Sequence, residues 1–465
     1  MTTAAPIAQP QNVTQQAVPA ATPAAKPAPF VTPEQIAIVK ATAPVLKEYG
    51  VTITTLFYKN MIDANPELKN VFSLTSQATG AQPRALAAAV LAYATYIDDL
   101  PRLHHAVERI AHKHASLQIQ PAQYDIVGKY LMEAIGQVLG DAATPEIVDA
   151  WTAAYGVLAS VFIGREKTLY SEARARDNYK GWAGWRKFHV QRREYAAGEG
   201  AAEGILSLYL APADGKPLPS YEPGQYVSLQ VFIPELGVLQ SRQYSLSQAP
   251  RPAGDYYRIS VKRDNGSNGA TAPGVLSNLL HDQIKEGDEV ELSQPQGEFV
   301  MEEPPETLAP LVLVSAGVGA TPVLSMLETA AAQGRTISWL QSSHSRQVLP
   351  FSKEVQAIRA AHPQRIQTYT VLTLPETDAT ATDAAAAAET TTSSGPNDVV
   401  VTGTHLKVAE LPAADRDRLL HTDDKRTGYY ICGPSSFMIE SRDALQALGV
   451  APERIHLELF ATGDL

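Results

Sequence analysis

Three stretches of the chain carry residue types at spacings that suit chemistry. In Ser241-Arg242-Gln243-Tyr244-Ser245-Leu246-Ser247 an Arg, an aromatic and a Ser alternate. Alternate residues of a strand share a face, so Arg242 and Tyr244 point the same way. A guanidinium fork suits a pair of phosphate oxygens, and a Tyr ring can lie against a flat conjugated ring system. A ligand bearing a pyrophosphate and a fused ring would use both; a half-buried strand with a snorkelling Arg is the plainer alternative. In the second stretch, the apolar run Leu311-Val312-Leu313-Val314 enters Ser315-Ala316-Gly317-Val318-Gly319-Ala320-Thr321-Pro322. A Gly-rich turn from strand to helix docks a pyrophosphate, although Pro322 stands where a third Gly is usual. The third holds four histidines, His104, His105, His112 and His114, for any one of which a surface or capping position is the commonest explanation.

These residues need elements to position them. At 465 residues the chain suits two or three domains, and an apolar fraction of 45% supplies their cores. A formal net charge of −11 argues against nucleic acid or an anionic membrane as partner. The single cysteine, Cys432, excludes a disulfide framework and a thiolate-ligated cluster. No apolar run reads as long enough to span a bilayer. Residues 1–30, rich in Ala, Pro, Gln and Thr, lack the basic start and apolar core of a secretory signal. They are expected to form a disordered tail, and the protein is expected in the cytoplasm.

Order is expected from Thr32-Pro33-Glu34-Gln35, a capping box with Pro in the first turn. From there to Tyr170 the apolar spacing is helical, with Phe57-Tyr58 on a second helix and Pro66, Pro83, Pro121 and Pro145 at helix starts. Residues 172–185 read as a linker. Phe188-His189-Val190, Ile205 to Leu210 and Tyr226 to Phe232 then alternate as short strands between Pro/Gly turns, which predicts a small closed antiparallel barrel. Gly274-Val275-Leu276-Ser277 opens a helix whose free N–H groups suit a pyrophosphate. The last third alternates apolar strands with helical patterns, as a doubly wound α/β domain does, and Tyr429-Tyr430-Ile431 leads into Cys432-Gly433-Pro434. Inside it, residues 373–398, full of Ala, Thr and Ser, read as a disordered insertion.

Taken in order, these motifs resemble known families. Arg242-x-Tyr244-Ser245, with Pro223-Gly224-Gln225-Tyr226 upstream, is similar to the flavin signature of the ferredoxin reductase superfamily. Ala111 to Ile119 and Gln123 to Gly128 resemble the proximal segment of flavohaemoglobins, as do Asn65 to Phe72 and Ala150-Trp151 through Arg165-Glu166. The resemblance covers the chain from about Thr32 onward, apart from the insertion. It implies a multidomain protein: an all-α globin over 31–171, an antiparallel β-barrel FAD domain over 186–304, and an α/β doubly wound NAD(P)-binding domain over 305–465.

What the resemblance implies about sites follows residue by residue. His114 would be the iron ligand of a b-type haem, with Glu166 and Tyr124 fixing its tautomer and raising its donor strength. Tyr58 and Gln82 would hold dioxygen, Phe72 would wedge against the haem face, and Leu86 would cover the iron. FAD would lie on Tyr226, Arg242, Gln243, Tyr244 and Ser245, its pyrophosphate on Gly274, Val275, Leu276 and Ser277. NAD(P)H would use Gly317, Val318, Gly319, Ala320, Thr321 and Pro322, with Cys432, Gly433 and Pro434 near the nicotinamide. Lys113 and Glu458 would mark the seam where electrons cross, and Phe460 would screen the flavin; Ala461-Thr462 departs from the family's Gly-Pro. The implied activity is nitric oxide dioxygenation in a monomer, nitric oxide and dioxygen giving nitrate with electrons from NAD(P)H through FAD. A gas-sensing or oxygen-storing globin with its own reductase, and a flavin reductase serving other acceptors, are the alternatives. The strand Thr336 to Leu340 is followed by Gln341-Ser342-Ser343-His344-Ser345-Arg346 with no Asp or Glu. The family more often uses NADH, so NADH should work, and NADPH should be tolerated better than an acid here would allow. Ser343 and Arg346 could bond its 2′-phosphate, a solvated turn that touches neither ribose being the plainer alternative.

Overall fold

The computed structural model describes residues 30–201, 203–266, 272–302, 308–373, 391–395 and 397–460. The tail over 1–29, most of the insertion and Ala461-Thr462 lie outside the described residues.

The first helix begins where the capping box places it. The Thr32 hydroxyl accepts from Gln35 N–H at 3.2 Å, and the Gln35 side chain accepts from Thr32 N–H at 3.0 Å. The resulting α1 (Pro33–Ala64) is one helix, not the expected two, and it runs through Pro44. A mid-helix Pro costs about 3 kcal/mol, but each large side chain buried contributes about 1.5–3 kcal/mol. Val39, Ile53, Phe57 and Met61 are all buried along this one helix, which outweighs the break. Next come α2 (Leu74–Ala78), α3 (Ala81–Thr95), α4 (His104–Ser116), α5 (Pro121–Leu139) and α6 (Pro145–Tyr179). By length and composition α6 could cross a membrane, contrary to the expectation for this chain. It packs instead against α1, α4 and α5, burying Ala150, Trp151, Ala154 and Phe162. Its helical dihedrals break at Arg176, Asp177 and Asn178, just before the chain changes style.

The middle region holds β1 (Arg186–Ala197), β2 (Ile205–Pro212), β3 (Tyr226–Ile233), β4 (Val238–Ser245), β5 (Tyr257–Lys262), α7 (Val275–Asp282) and β6 (Glu289–Leu292). The strands form an antiparallel sheet in the order β4-β3-β6-β1-β2-β5. A bridge between Leu246 and Ile259 joins its two ends, so the sheet closes as predicted. Inward-facing Phe188, Leu208, Val227, Leu229, Ile259 and Leu292 fill the barrel.

The last region holds β7 (Leu311–Ala316), α8 (Ala320–Ala332), β8 (Ile337–Ser343), α9 (Ser352–Ala361), β9 (Ile366–Leu372), β10 (Thr391–Gly395), β11 (Asp398–Thr402), α10 (Ala413–Leu420), β12 (Gly428–Cys432), α11 (Ser435–Ala447) and β13 (Ile455–Glu458). The sheet order is β10-β11-β9-β8-β7-β12-β13, parallel except for β10. Part of the stretch expected to be unstructured thus supplies an edge strand, because its backbone pairs antiparallel with β11. The chain leaves β7 outward to β8, β9 and β11, then returns to the other side for β12 and β13. The crevice at the ends of β7 and β12 is therefore the switch point where ligands bind in such sheets.

Barrel and nucleotide domain are clasped by Arg258, which is 3% exposed. Its guanidinium lies 2.8 Å from Glu354 and 3.9 Å from Glu328.

Candidate functional site

His114 sits in the last turn of α4, Tyr124 at the start of α5 and Glu166 on α6. The His114 Nδ1–H donates to Glu166 Oε1 at 2.8 Å, and the Tyr124 hydroxyl donates to the same oxygen. Tyr124 Oη is also 2.9 Å from His114 Nδ1. Burial and then the Glu166 charge push the Tyr124 hydroxyl far above its ordinary pKa, so it remains a donor. With the proton held on Nδ1, the imidazole's Nε2 keeps its lone pair for a metal. Among the described residues no group of three or more His, Cys, Asp or Glu could hold a metal ion. An iron on His114 would need its other ligands from a macrocycle, so the donor set fits haem.

The second polar pair lies on α1 and α3. Tyr58 is buried at 7% exposure, and burial raises its pKa well above the ordinary value, with Gln82 acting in the opposite direction. Gln82 Oε1 also accepts from Gln77 Nε2 at 3.0 Å, which orients its amide. The Phe72 ring meets Tyr58 edge-on at 5.5 Å between centroids, and Leu86 packs into the same cluster. Two donors in an otherwise apolar box can hold a small polarised ligand.

His104 and His105 are exposed, as read from the sequence. His112 is not a surface residue. Its side chain is 13% exposed, and Nδ1 lies 2.9 Å from Gln296 and accepts from Gly297 N–H at 3.2 Å. It is part of the seam between globin and barrel. There Gln240, on β4, accepts from Leu74 N–H at 3.1 Å and donates to the Lys69 carbonyl at 2.7 Å. Gln243 Nε2 donates to Ser228 Oγ at 2.9 Å, Ser228 to Ser116 Oγ at 2.8 Å, and Ser116 to the Lys113 carbonyl at 2.7 Å. This chain runs from the barrel to the residue beside His114.

Lys113 faces Arg109 and Arg242, and burial lowers its pKa. The Glu458 carboxyl is pushed up to about 8, chiefly by burial and then by Glu298, with Arg109 opposing. Arg109 is the charge common to both. Sequence reasoning missed it, together with Glu298 and Gln296, because no motif marks a residue whose importance comes from another domain's approach.

On the barrel, Tyr226 pairs with Ser245 and Val227 with Tyr244 in the β3–β4 ladder. Tyr244 rests partly buried on the barrel core. Arg242 Nη2 donates to Thr75 of α2 at 3.1 Å. The helix α7 starts after Gly274 with no side-chain cap, which leaves the N–H groups of Val275, Leu276 and Ser277 available to an anion. An uncapped helix start, an Arg fork and a Tyr ring on neighbouring elements fit a ligand with a pyrophosphate and a fused ring.

At the switch point, Gly317-Val318-Gly319 after β7 and Gly433-Pro434 after β12 border a cavity of about 560 Å³. A Cβ on Gly319 would come within 2.2 Å of the Cys432 carbonyl oxygen, so only Gly lets this turn lie on β12. Ala320, Thr321 and Pro322 are buried in the first turn of α8, which has no side-chain cap; they build the turn rather than line the cavity. Cys432 is likewise fully buried beneath it. Phe460, 48% exposed, borders the opening.

The strand β8 extends through Ser343, which lines the cavity, whereas Arg346 is exposed and outside the lining. An acid is present after all. Glu203, between β1 and β2 of the barrel, lines the cavity 2.7 Å from His344 Nδ1 and 2.8 Å from Lys262 Nζ.

Comparison with known proteins agrees with this layout. A model described as "Globin" matches residues 55–162, and one described as "Oxidoreductase NAD-binding domain" matches residues 313–443. The chain is 44% identical to a flavohemoprotein of Bordetella pertussis over 94% of its own length and 100% of the relative's. It is 43% identical to a flavohemoprotein of Chromobacterium violaceum over 92% of its length and 97% of the relative's. The fold is similar to the crystal structure of flavohemoglobin from Malassezia yamatoensis with bound FAD and heme, at a TM-score of 0.73 and 30% identity, covering 93% of this chain and 100% of that one.

Proposed function

The chain belongs to the flavohaemoproteins, and on that premise we propose that it is a nitric oxide dioxygenase holding one b-type haem, one FAD and a transient NAD(P)H. The observation that carries this reading is the shared acceptance of His114 and Tyr124 by one oxygen of Glu166, in a chain that also holds a reductase. Bound haem and FAD would supply the redox chemistry, joining nitric oxide and dioxygen to nitrate with electrons drawn from NAD(P)H.

The chain's own residues do the rest. Glu166 keeps a proton on His114 Nδ1, which leaves Nε2 as donor to iron and makes the imidazole more electron-rich. The Tyr58 hydroxyl and Gln82 amide donate toward a gas in the pocket and favour the partly reduced, charged form of dioxygen over the neutral gas. Phe72 and Leu86 keep water from those donors. Gly274 to Ser277 and Arg242 would hold the FAD pyrophosphate, and Tyr226 and Tyr244 would supply rings for its fused system. Gly317 to Gly319, with Gly433 and Pro434, would hold the nicotinamide nucleotide in the crevice that Phe460 borders. The seam through Ser228 and Ser116 keeps the two redox modules in register.

We assign the protein to the cytoplasm, where one buried cysteine suits a reducing compartment, and to a monomeric state acting on small gases. The test is nitric oxide consumption by the purified protein loaded with haem and FAD. Consumption that needs both dioxygen and NADH, with one nitrate formed per nitric oxide, is the expected result. Reversible dioxygen binding with no nitrate would overturn the assignment in favour of an oxygen store.

A further inference from the structure

We propose that Glu203, a residue of the barrel, discriminates between the two nicotinamide nucleotides by accepting from the 2′-hydroxyl of the adenosine ribose and repelling a 2′-phosphate there. The proposal rests on reading the switch-point cavity as the nicotinamide nucleotide site.

In a doubly wound sheet the end of the second strand meets the adenosine ribose, and an acid there selects the free hydroxyl. That strand is β8, which ends in Ser342 and Ser343 on the cavity wall and is followed by His344. The segment itself has no acid. The barrel supplies one from across the cavity. Glu203 Oε2 lies 2.7 Å from His344 Nδ1, and Oε1 lies 2.8 Å from Lys262 Nζ. A carboxylate has about four lone-pair sites and these anchors use two, so it is fixed in place and still able to accept from a ribose diol. Hydrogen bonds from Lys262 and His344 hold its pKa below the usual carboxylate value, so it stays charged at neutral pH. Its removal leaves an ammonium and an imidazole on the same wall, and both suit a phosphate.

The experiment is calorimetric titration of the full-length protein carrying haem and FAD, with adenosine 5′-monophosphate and adenosine 2′,5′-bisphosphate as probes. Glu203→Gln is expected to bind the bisphosphate about tenfold tighter than the parent and the monophosphate a few-fold weaker. Steady-state preference for NADPH over NADH should shift in the same direction. If both probes change by the same factor, or neither changes, Glu203 only clasps the domains and the proposal fails, while the reading of the cavity stands. Binding of neither probe by the parent would overturn that reading and the proposal with it. Lys262→Met, which keeps the carboxylate and removes a cation, is expected to weaken the bisphosphate alone; an unchanged ratio there would also count against Glu203.

Discussion

His114 Nδ1 and Glu166 Oε1 stand 2.8 Å apart, and that oxygen also accepts the Tyr124 hydroxyl. Three helices meet at one atom. An imidazole so held is fixed in tautomer and in ring orientation, and its far nitrogen carries extra electron density. Glu166→Gln keeps the shape and removes the charge. It should raise the iron reduction potential and lower the Fe–His stretching frequency in resonance Raman spectra, with turnover falling about 10–100-fold. An unchanged stretching frequency would mean that Glu166 does not tune the ligand.

Tyr58 is a buried hydroxyl in an apolar box, proposed to hold dioxygen, and Gln82 is already held by Gln77. A hydrogen bond to a charged ligand is worth about 1.5–3 kcal/mol, so Tyr58→Phe should speed dioxygen release by roughly tenfold or more. Stopped-flow release rates decide this, and an unaltered rate would remove Tyr58 from the pocket's chemistry.

Ser228 joins Gln243 of the barrel to Ser116 of α4 through bonds of 2.9 and 2.8 Å. Ser228→Ala leaves buried partners unpaired at a cost of about 1–3 kcal/mol. Flavin-to-haem electron transfer should slow while reduction of the flavin by NADH keeps its parent rate. Equal slowing of both steps would show that the damage lies in the barrel and not in the seam.

The Glu458 carboxyl is pushed up to about 8 from 4.5, mainly by burial. The raised value means that the folded chain binds a proton the unfolded chain releases. The stability so contributed is complete below about pH 4.5 and is lost as pH rises through about 8. Glu458→Gln stays neutral throughout, so its melting temperature should gain on the parent's progressively between about pH 5 and about pH 9. A pH-independent difference would contradict the raised pKa of this partly buried acid.

Much of the architecture was legible because its causes are local. A Thr-Pro-Glu-Gln capping box starts a helix wherever it is placed, and the bonds between Thr32 and Gln35 realise it. A Gly-rich turn after an apolar strand is legible for the same reason, since Gly317 turns the chain at a φ of 52°, which Gly adopts without strain. The resemblance named His114, Glu166 and Tyr124 together, and they do meet.

What the sequence could not determine depends on distant partners. Pro44 inside α1 is tolerated only because side chains along that helix bury against elements far along the chain. The strand Thr391–Gly395 carries no apolar signal and exists as an edge because β11 offers its backbone. His112 reads as a surface residue until Gln296, far along the chain, closes over it. Glu203 belongs by sequence to a barrel turn and by position to the nucleotide cavity, because burial and charge pairing act between surfaces that only the packed domains bring together.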